Sequence, residues 1–263
     1  MSSILVHPTA KIGAAFAPLP FSIVDEGVVV GESVRLGSFV HVCAMVRIGD
    51  RCVIGDHVTI CTGARIGERS VIADFAMVGE RNVDHAQRIA VEPKGVTLGA
   101  SCTVGSHTVL MAGAVIGDDV RVEDGAQVGA RCRIGDGVVI GRGAIVENDT
   151  EIGDRAVVQP GAFIAAHTVI EEDCFIGPMV VTTNDDYMGR TSERFKHLKG
   201  CTVRRGARIG AGASVLPGVE IGVEAFVATG SIVASDVPAA KIVMGSPAKV
   251  VRDVPAEQRL HSE

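Results

Sequence analysis

The chain has no tryptophan, one tyrosine and only 3% aromatic residues in 263 positions. Cores of this size usually draw on large rings, because each buries a wide area. A core built without them must be narrow and lined by small and branched aliphatics. A leader pattern is absent at Met1-Ser2-Ser3-Ile4, and no apolar run approaches the length that spans a bilayer; a cytoplasmic chain with no membrane contact is expected. A basic face is also lacking: the net charge is −6 with both signs mixed along the sequence, which argues against nucleic acid as a partner. The seven cysteines show no CxxC spacing. Five of them (Cys52, Cys102, Cys132, Cys174, Cys201) fall on one repeat position otherwise held by Val, Ala, Ser or Thr. They read as small core residues, and no metal site is expected.

What the sequence does have is a six-residue period. Written in sixes from Ser22, it runs SIVDEG, VVVGES, VRLGSF and onward to AMVGER; it resumes at Val96 through CFIGPM, and again at Cys201 through SIVASD. The regular hexads number ten, fourteen and six, and in all thirty the third residue is Ile, Val or Leu while the first is Val, Ala, Cys, Ser or Thr. No helical period competes. Each hexad is expected to be a short strand and a turn, with three hexads closing one triangular coil and coils stacking at ~4.8 Å. The aliphatic third residue points inward and the small first residue packs at the corner. Gly, frequent after the aliphatic residue, is expected to serve a turn of unusual φ/ψ. A lone coil buries little, so stability comes from stacking.

The register breaks twice, at 82–95 and 186–200. Insertions in a solenoid map to loops on one face, often the binding face. Fifteen hexads, five whole coils, separate the two departures, so both loops are expected at one edge, ~24 Å apart. The expected organisation is a β-helix over 1–236 and a C-terminal extension over 237–263, with a short terminal helix near Pro255–Leu260.

From Phe163 to Val254 the chain resembles the hexapeptide-repeat acyltransferase family, within it the N-acetyltransferases of nucleotide-linked amino sugars. The resemblance rests on Phe163-Ile164, Glu171–Gly177, the stretch Thr183-Asn184-Asp185-Asp186-Tyr187-Met188-Gly189-Arg190, then Gly210–Val219 and Gly245-Ser246-Pro247-Ala248-Lys249-Val250-Val251-Arg252. It implies an all-β, left-handed parallel β-helix of about ten coils; spacing alone does not give the hand, since parallel crossovers are normally right-handed. It also implies a homotrimer with active sites between neighbouring prisms, acetyl-CoA as co-substrate along the C-terminal coils, and a nucleotide-sugar amine as acceptor. Family members that acetylate hydroxyls carry a loop His as base; the corresponding stretch here reads Thr-Asn-Asp, which favours an amine. The Glu that some amino-sugar enzymes place one coil below the Asn is Ala166 here.

His167 lies eighteen residues before Asp185, one coil beneath it, where an imidazole can take a proton near neutral pH. The alternative is a solvent-facing turn residue, like His57 and His107 at the same hexad position. Asn184 is a candidate for orienting the amine or sugar, or an Asn chosen for turn geometry. Asp185 is a candidate partner for the ammonium. Tyr187, Arg190 and Arg194 are candidates for the nucleotide sugar, the arginines through charge-assisted bonds to a diphosphate or as solvated surface charge. Lys249 and Arg252 stand where the family meets CoA phosphates, and the backbone N–H groups of Ala211 and Gly212 are candidates for holding the thioester oxygen. The first loop has Glu80 and Arg81 in place of Asn184 and Asp185, followed by Asn82-Val83-Asp84-His85; a non-catalytic role is favoured over a second site. The competing functions are O-acetyl transfer to a sugar or small molecule, and a non-catalytic scaffold. A zinc-dependent carbonic anhydrase of this fold would need convergent His pairs that the spacing lacks.

Overall fold

The computed structural model describes residues 4–80, 83–84, 89–90 and 95–260. The chain forms two compact units, Met1–Cys132 and Arg133–Glu263, and each is a parallel β-solenoid of triangular coils with three sheets. In the first unit the strands of the first face include Ile23–Val24, His41–Val42 and Thr59–Ile60, those of the second Val29–Val30 and Arg47–Ile48, and those of the third Arg35–Leu36 and Val53–Ile54. The second unit repeats the scheme, with Phe163–Ile164 and Val181–Thr182 on the first face, Val169–Ile170 on the second and Phe175–Ile176 on the third.

Each strand pairs with the one three hexads on, Ile23 with His41 and Phe163 with Val181. Both insertions preserve this: Arg65 pairs with Thr97 past the first loop, and Val169 with Thr202 past the second. The third residues form the core. Val42, Ile60, Ile164, Ile176 and Ile209 are completely buried, each stabilising the stack by up to about 1.5–3 kcal/mol. The first faces carry more strands than the regular hexads alone would give, because in the first unit 4–21 is a full coil despite its irregular sequence and in the second Val181–Thr182 keeps its place in the first-face sheet. The hexad cysteines Cys52, Cys102, Cys132, Cys174 and Cys201 are buried as expected; burial pushes the thiols of Cys174 and Cys201 up to about 12.

The turn glycines have a different cause from the one expected. Positive φ falls at the sixth hexad position, and non-glycine residues hold much of it: Phe39, His57, Arg69, His107 and His167 have φ between 57° and 65°. Gly at the fourth position answers to the coil above. A Cβ on Gly135 would overlap the Asp154 carboxylate, and one on Gly55 that of Asp74. Those carboxylates accept a backbone N–H from the coil below, Asp136 N–H to Asp154 Oδ1 at 2.9 Å and Asp56 N–H to Asp74 Oδ1 at 2.8 Å. Fixed Asp-to-N–H bonds between coils thus require the bare glycine beneath them.

In the first unit the sixth positions at the corner between the third and first faces carry a column of stacked rings, Phe21, Phe39, His57, Phe75 and His107, with centroids 4.7–4.9 Å apart. The spacing is the coil rise itself. The C-terminal extension is a hairpin of Lys241–Gly245 and Ala248–Asp253 that adds to the third face through Phe226 and Ile242. The expected terminal helix is a single 3₁₀ turn, Ala256–Gln258.

Candidate functional site

The second loop leaves the first face after Val181–Thr182 and returns at Gly200, above His167. Register tightens at its root. Asn184 donates from Nδ2 to the Ala166 carbonyl at 3.3 Å, and its own carbonyl accepts the Lys199 N–H at 3.0 Å. A Cβ on Gly200 would overlap the His167 carbonyl and the Thr168 nitrogen, so the returning chain lies directly on the His167 backbone. His167 itself is exposed, with φ 65°. The structure therefore puts Asn184 and an accessible imidazole at one corner, under one loop.

Asp185 is engaged within the loop. Its carboxylate accepts the Tyr187 N–H at 2.9 Å, the Gly189 N–H at 3.0 Å and the Arg194 guanidinium at 2.7 Å. The Arg194 hydrogen bond holds the Asp185 carboxyl below its ordinary range, with the two backbone donors assisting against partial burial. Asp185 and Arg194 thus fold the loop around each other, rather than standing open for an ammonium and a diphosphate as the sequence suggested. Arg190 is exposed and has no ion pair among the described residues, which leaves it as the loop arginine open to an anion. Tyr187 stacks on His197 with centroids 5.7 Å apart. His197 carries no signal in the sequence because it lies thirteen residues beyond Asn184, past the 3₁₀ turn Ser192–Lys196 that folds it back.

The proposed acyl-carrier side lies elsewhere on the second unit, at the corner between its third and first faces. Gly212 gives its N–H to the Pro178 carbonyl at 2.9 Å and has none to spare for a thioester. Ala211 differs. Its hexad position elsewhere receives the next coil's Asp, but one coil on stands Thr229, and the Ala211 N–H has no partner among the described residues. Lys249 and Arg252 are exposed on the C-terminal hairpin. Arg208 is a further candidate, lying over the Phe226 ring at 5.2 Å with its Nε and one Nη buried and unbonded. ARIGAG looks like any other Arg-bearing hexad, so no sequence signal marks it. A cavity of about 380 Å³ is lined by Arg204, Glu220, Asp236 and Pro238, with no residue of the loop in its lining. Arg204 there is already bridged to Glu171 and Glu220 at 2.8 and 2.6 Å.

Of the first loop, only Val83–Asp84 pairing antiparallel with Ile89–Ala90 is described. Arg81, Asn82 and His85 lie outside the described residues. No helix is long and apolar enough to cross a membrane among the described residues.

The pattern described as "Bacterial transferase hexapeptide (six repeats)" matches residues 27–62, 45–80, 113–148 and 149–184, and "Hexapeptide repeat of succinyl-transferase" matches 205–235; together they cover more than half of the chain. A serine acetyltransferase of Buchnera aphidicola subsp. Acyrthosiphon pisum is 39% identical over 71 residues, 27% of this chain and 26% of that protein. A 2,3,4,5-tetrahydropyridine-2,6-dicarboxylate N-acetyltransferase of Clostridium perfringens is 46% identical over 54 residues, 20% of this chain and 23% of that protein. The chain thus spans about a quarter of the length of these curated relatives. Among solved structures, Arabidopsis UDP-N-acetylglucosamine acyltransferase shares the fold, at 19% identity and TM-score 0.51 over 97% of this chain and 74% of that one. A perosamine N-acetyltransferase from Caulobacter crescentus, solved with CoA and GDP-perosamine, aligns over 56% of this chain and 57% of that one at 27% identity and TM-score 0.39.

Proposed function

We propose that this chain, which belongs to the hexapeptide-repeat family of bacterial transferases, moves an acetyl group from acetyl-CoA to the amine of a nucleotide-linked amino sugar. The observation that carries the reading is the corner at His167, where an exposed imidazole lies under the loop that Asn184 ties to Ala166. Acetyl transfer accords with the serine and tetrahydropyridine-dicarboxylate acetyltransferases that share stretches of its sequence.

In this mechanism the neutral amine attacks the thioester carbonyl carbon, forming the C–N bond. Negative charge grows on the carbonyl oxygen, and the unpartnered Ala211 N–H is the donor suited to it. His167 takes the proton from the attacking nitrogen, the C–S bond breaks and the CoA thiolate leaves to be protonated. Asn184 orients the acceptor. Asp185 acts as a positioning residue through the loop, Arg190 and Tyr187 meet the nucleotide sugar, and Arg194 holds Asp185. Lys249 and Arg252 hold the CoA phosphates.

His167 and Ala211 occupy different corners of the second unit, so one chain does not assemble both halves. A homotrimer, in which the base of one copy faces the carrier groove of the next, completes the site. Exposed Phe175, Val181 and Ile232 and a mean hydropathy of +0.33 fit apolar faces that pack together. Sedimentation at micromolar concentration should give three times the chain mass, and a mass of one chain would refute the assembly.

His197 supports a second reading, O-acetylation, because the loop does carry a histidine, stacked on Tyr187. Thiol release from acetyl-CoA, measured against amino-sugar nucleotides and against their hydroxyl counterparts, separates the two. Under the first reading His167→Ala lowers kcat/KM by about 100-fold or more, with acetyl-CoA affinity unchanged. Under the second, His197→Ala does so and only hydroxyl acceptors turn over. No thiol release with either class would leave the scaffold reading standing.

A further inference from the structure

Stacking brings residues eighteen apart in sequence to neighbouring heights on one face, and this makes clusters that no short motif reveals. On the first face of the first unit, the fourth hexad position holds Asp25 and, one coil on, Cys43. Strand Ile23–Val24 pairs in register with His41–Val42, which sets the His41 ring beside Asp25, Nε2 to Oδ2 at 2.9 Å. The ligand atoms of Asp25, His41 and Cys43 all lie within 4.8 Å of one another, and all three residues are half-buried. Three donors of different chemistry (a carboxylate oxygen, an imidazole nitrogen and a thiol sulfur) thus converge from two adjacent coils.

We infer that Asp25, His41 and Cys43 form a binding site for a divalent transition-metal ion of the zinc class. Tetrahedral zinc takes S, N and O ligands at ~2.0–2.3 Å, which sets its donors about 3.3–3.8 Å apart. The ligand atoms of the three groups lie within 4.8 Å of one another, close to that spacing. On binding, the ion displaces the Cys43 thiol proton, and the Asp25–His41 hydrogen bond gives way to two metal bonds, so the site takes up metal more readily as pH rises. Three protein ligands leave a fourth position to water. The contrast with the other cysteines supports the assignment: Cys52, Cys102, Cys132, Cys174 and Cys201 are sealed in the core, whereas Cys43 stands at the rim beside a carboxylate and an imidazole. The ion would join the coil of Asp25 to the coil of His41, one coil from the exposed Ile4, Leu5 and Val6. It acts as a staple, independent of acyl transfer.

The test is Co²⁺ titration of the full chain after chelator treatment. One equivalent should produce a thiolate-to-cobalt charge-transfer band and the intense visible bands of four-coordination; Zn²⁺ should displace it and raise the melting temperature by several degrees. Cys43→Ser should abolish the charge-transfer band, and His41→Ala should weaken binding by at least ~10-fold. Both variants should melt like the wild type in the absence of metal, which keeps folding apart from binding. A charge-transfer band that survives Cys43→Ser, or one lost only when Cys61, half-buried one coil beyond Cys43, is replaced by Ser, overturns the site. So does the absence of any band at one equivalent.

Discussion

Thr182 is the one inward-facing hydroxyl at the root of the second loop, and its removal should be costly out of proportion to its size. In the regular coils the carbonyl of an inward residue accepts the N–H of the fourth position one coil below: Glu147 donates to Ile164 at 2.8 Å and Thr183 to Val215 at 3.0 Å. At Ala165 the bond goes instead to the Thr182 side chain, N–H to Oγ1 at 2.8 Å, and only Phe163 and Val181 remain paired between those strands. The strand has begun to peel into the loop and the hydroxyl takes over from the carbonyl. Thr182 is 1% exposed and Ala165 3%, so no water can replace the lost acceptor. Thr182→Val keeps the volume and strands that N–H, which costs about 1–3 kcal/mol. Thr182→Ser keeps the oxygen and deletes one methyl, about 0.8 kcal/mol plus whatever the small cavity adds. Equilibrium urea unfolding should rank wild type above serine above valine, with the valine midpoint lower by roughly 0.5–1 M. A valine variant as stable as the serine one would refute the argument, because the hydroxyl would then not be what satisfies Ala165.

Ile134 is 4% exposed in a core one side chain wide, so Ile134→Asp places a charge where there is neither partner nor water; the second unit should lose its cooperative melting transition, as followed by circular dichroism. Asp185 titrates below its ordinary range because it is bonded to Arg194, so the loop bond is fully present above the unfolded carboxylate pKa and is lost as pH falls through the folded one. Proteolysis of 186–199 should therefore stay slow from neutrality to about pH 4 and quicken below it, and Asp185→Asn should remove that dependence. A maleimide should label Cys43 and Cys61 in the native chain within the time that leaves Cys174 and Cys201 untouched, since burial pushes both of the latter thiols up to about 12. Gly200→Ala should lift the loop from the His167 backbone, lowering resistance to proteolysis there without altering the first unit.

The solenoid is legible in the sequence because a strict six-residue pattern fixes which side chain faces in. The third residues of the regular hexads are buried without exception, from Val24 to Val78, from Leu98 to Ile176 and from Val203 to Val233. The C-terminal hairpin is not legible, because it does not carry the period, whereas the irregular first coil falls within the β-helix expected over 1–236. The candidate site is legible only where it rides on the repeat. The place of His167 under the loop follows from counting hexads. The Asp185–Arg194 bond and the Tyr187–His197 stack depend on how the loop folds back, which no periodicity encodes. The meeting of Asp25, His41 and Cys43 is hidden for a related reason: its members are neighbours across coils and far apart along the chain.

The preserved pairing across both insertions also has a consequence for how such a chain can change. Arg65 finds Thr97 and Val169 finds Thr202 whatever lies between, so the angular phase of every later hexad is indifferent to loop length. Three hexads form an interchangeable unit: removing eighteen residues shortens the stack by one storey, while removing six turns everything downstream by a third of a revolution and moves the loop to another corner. Loop contents are thus free to drift or be grafted, whereas a single-residue deletion within a coil damages the strand and turn of that hexad while the hexads beyond it keep their own facing.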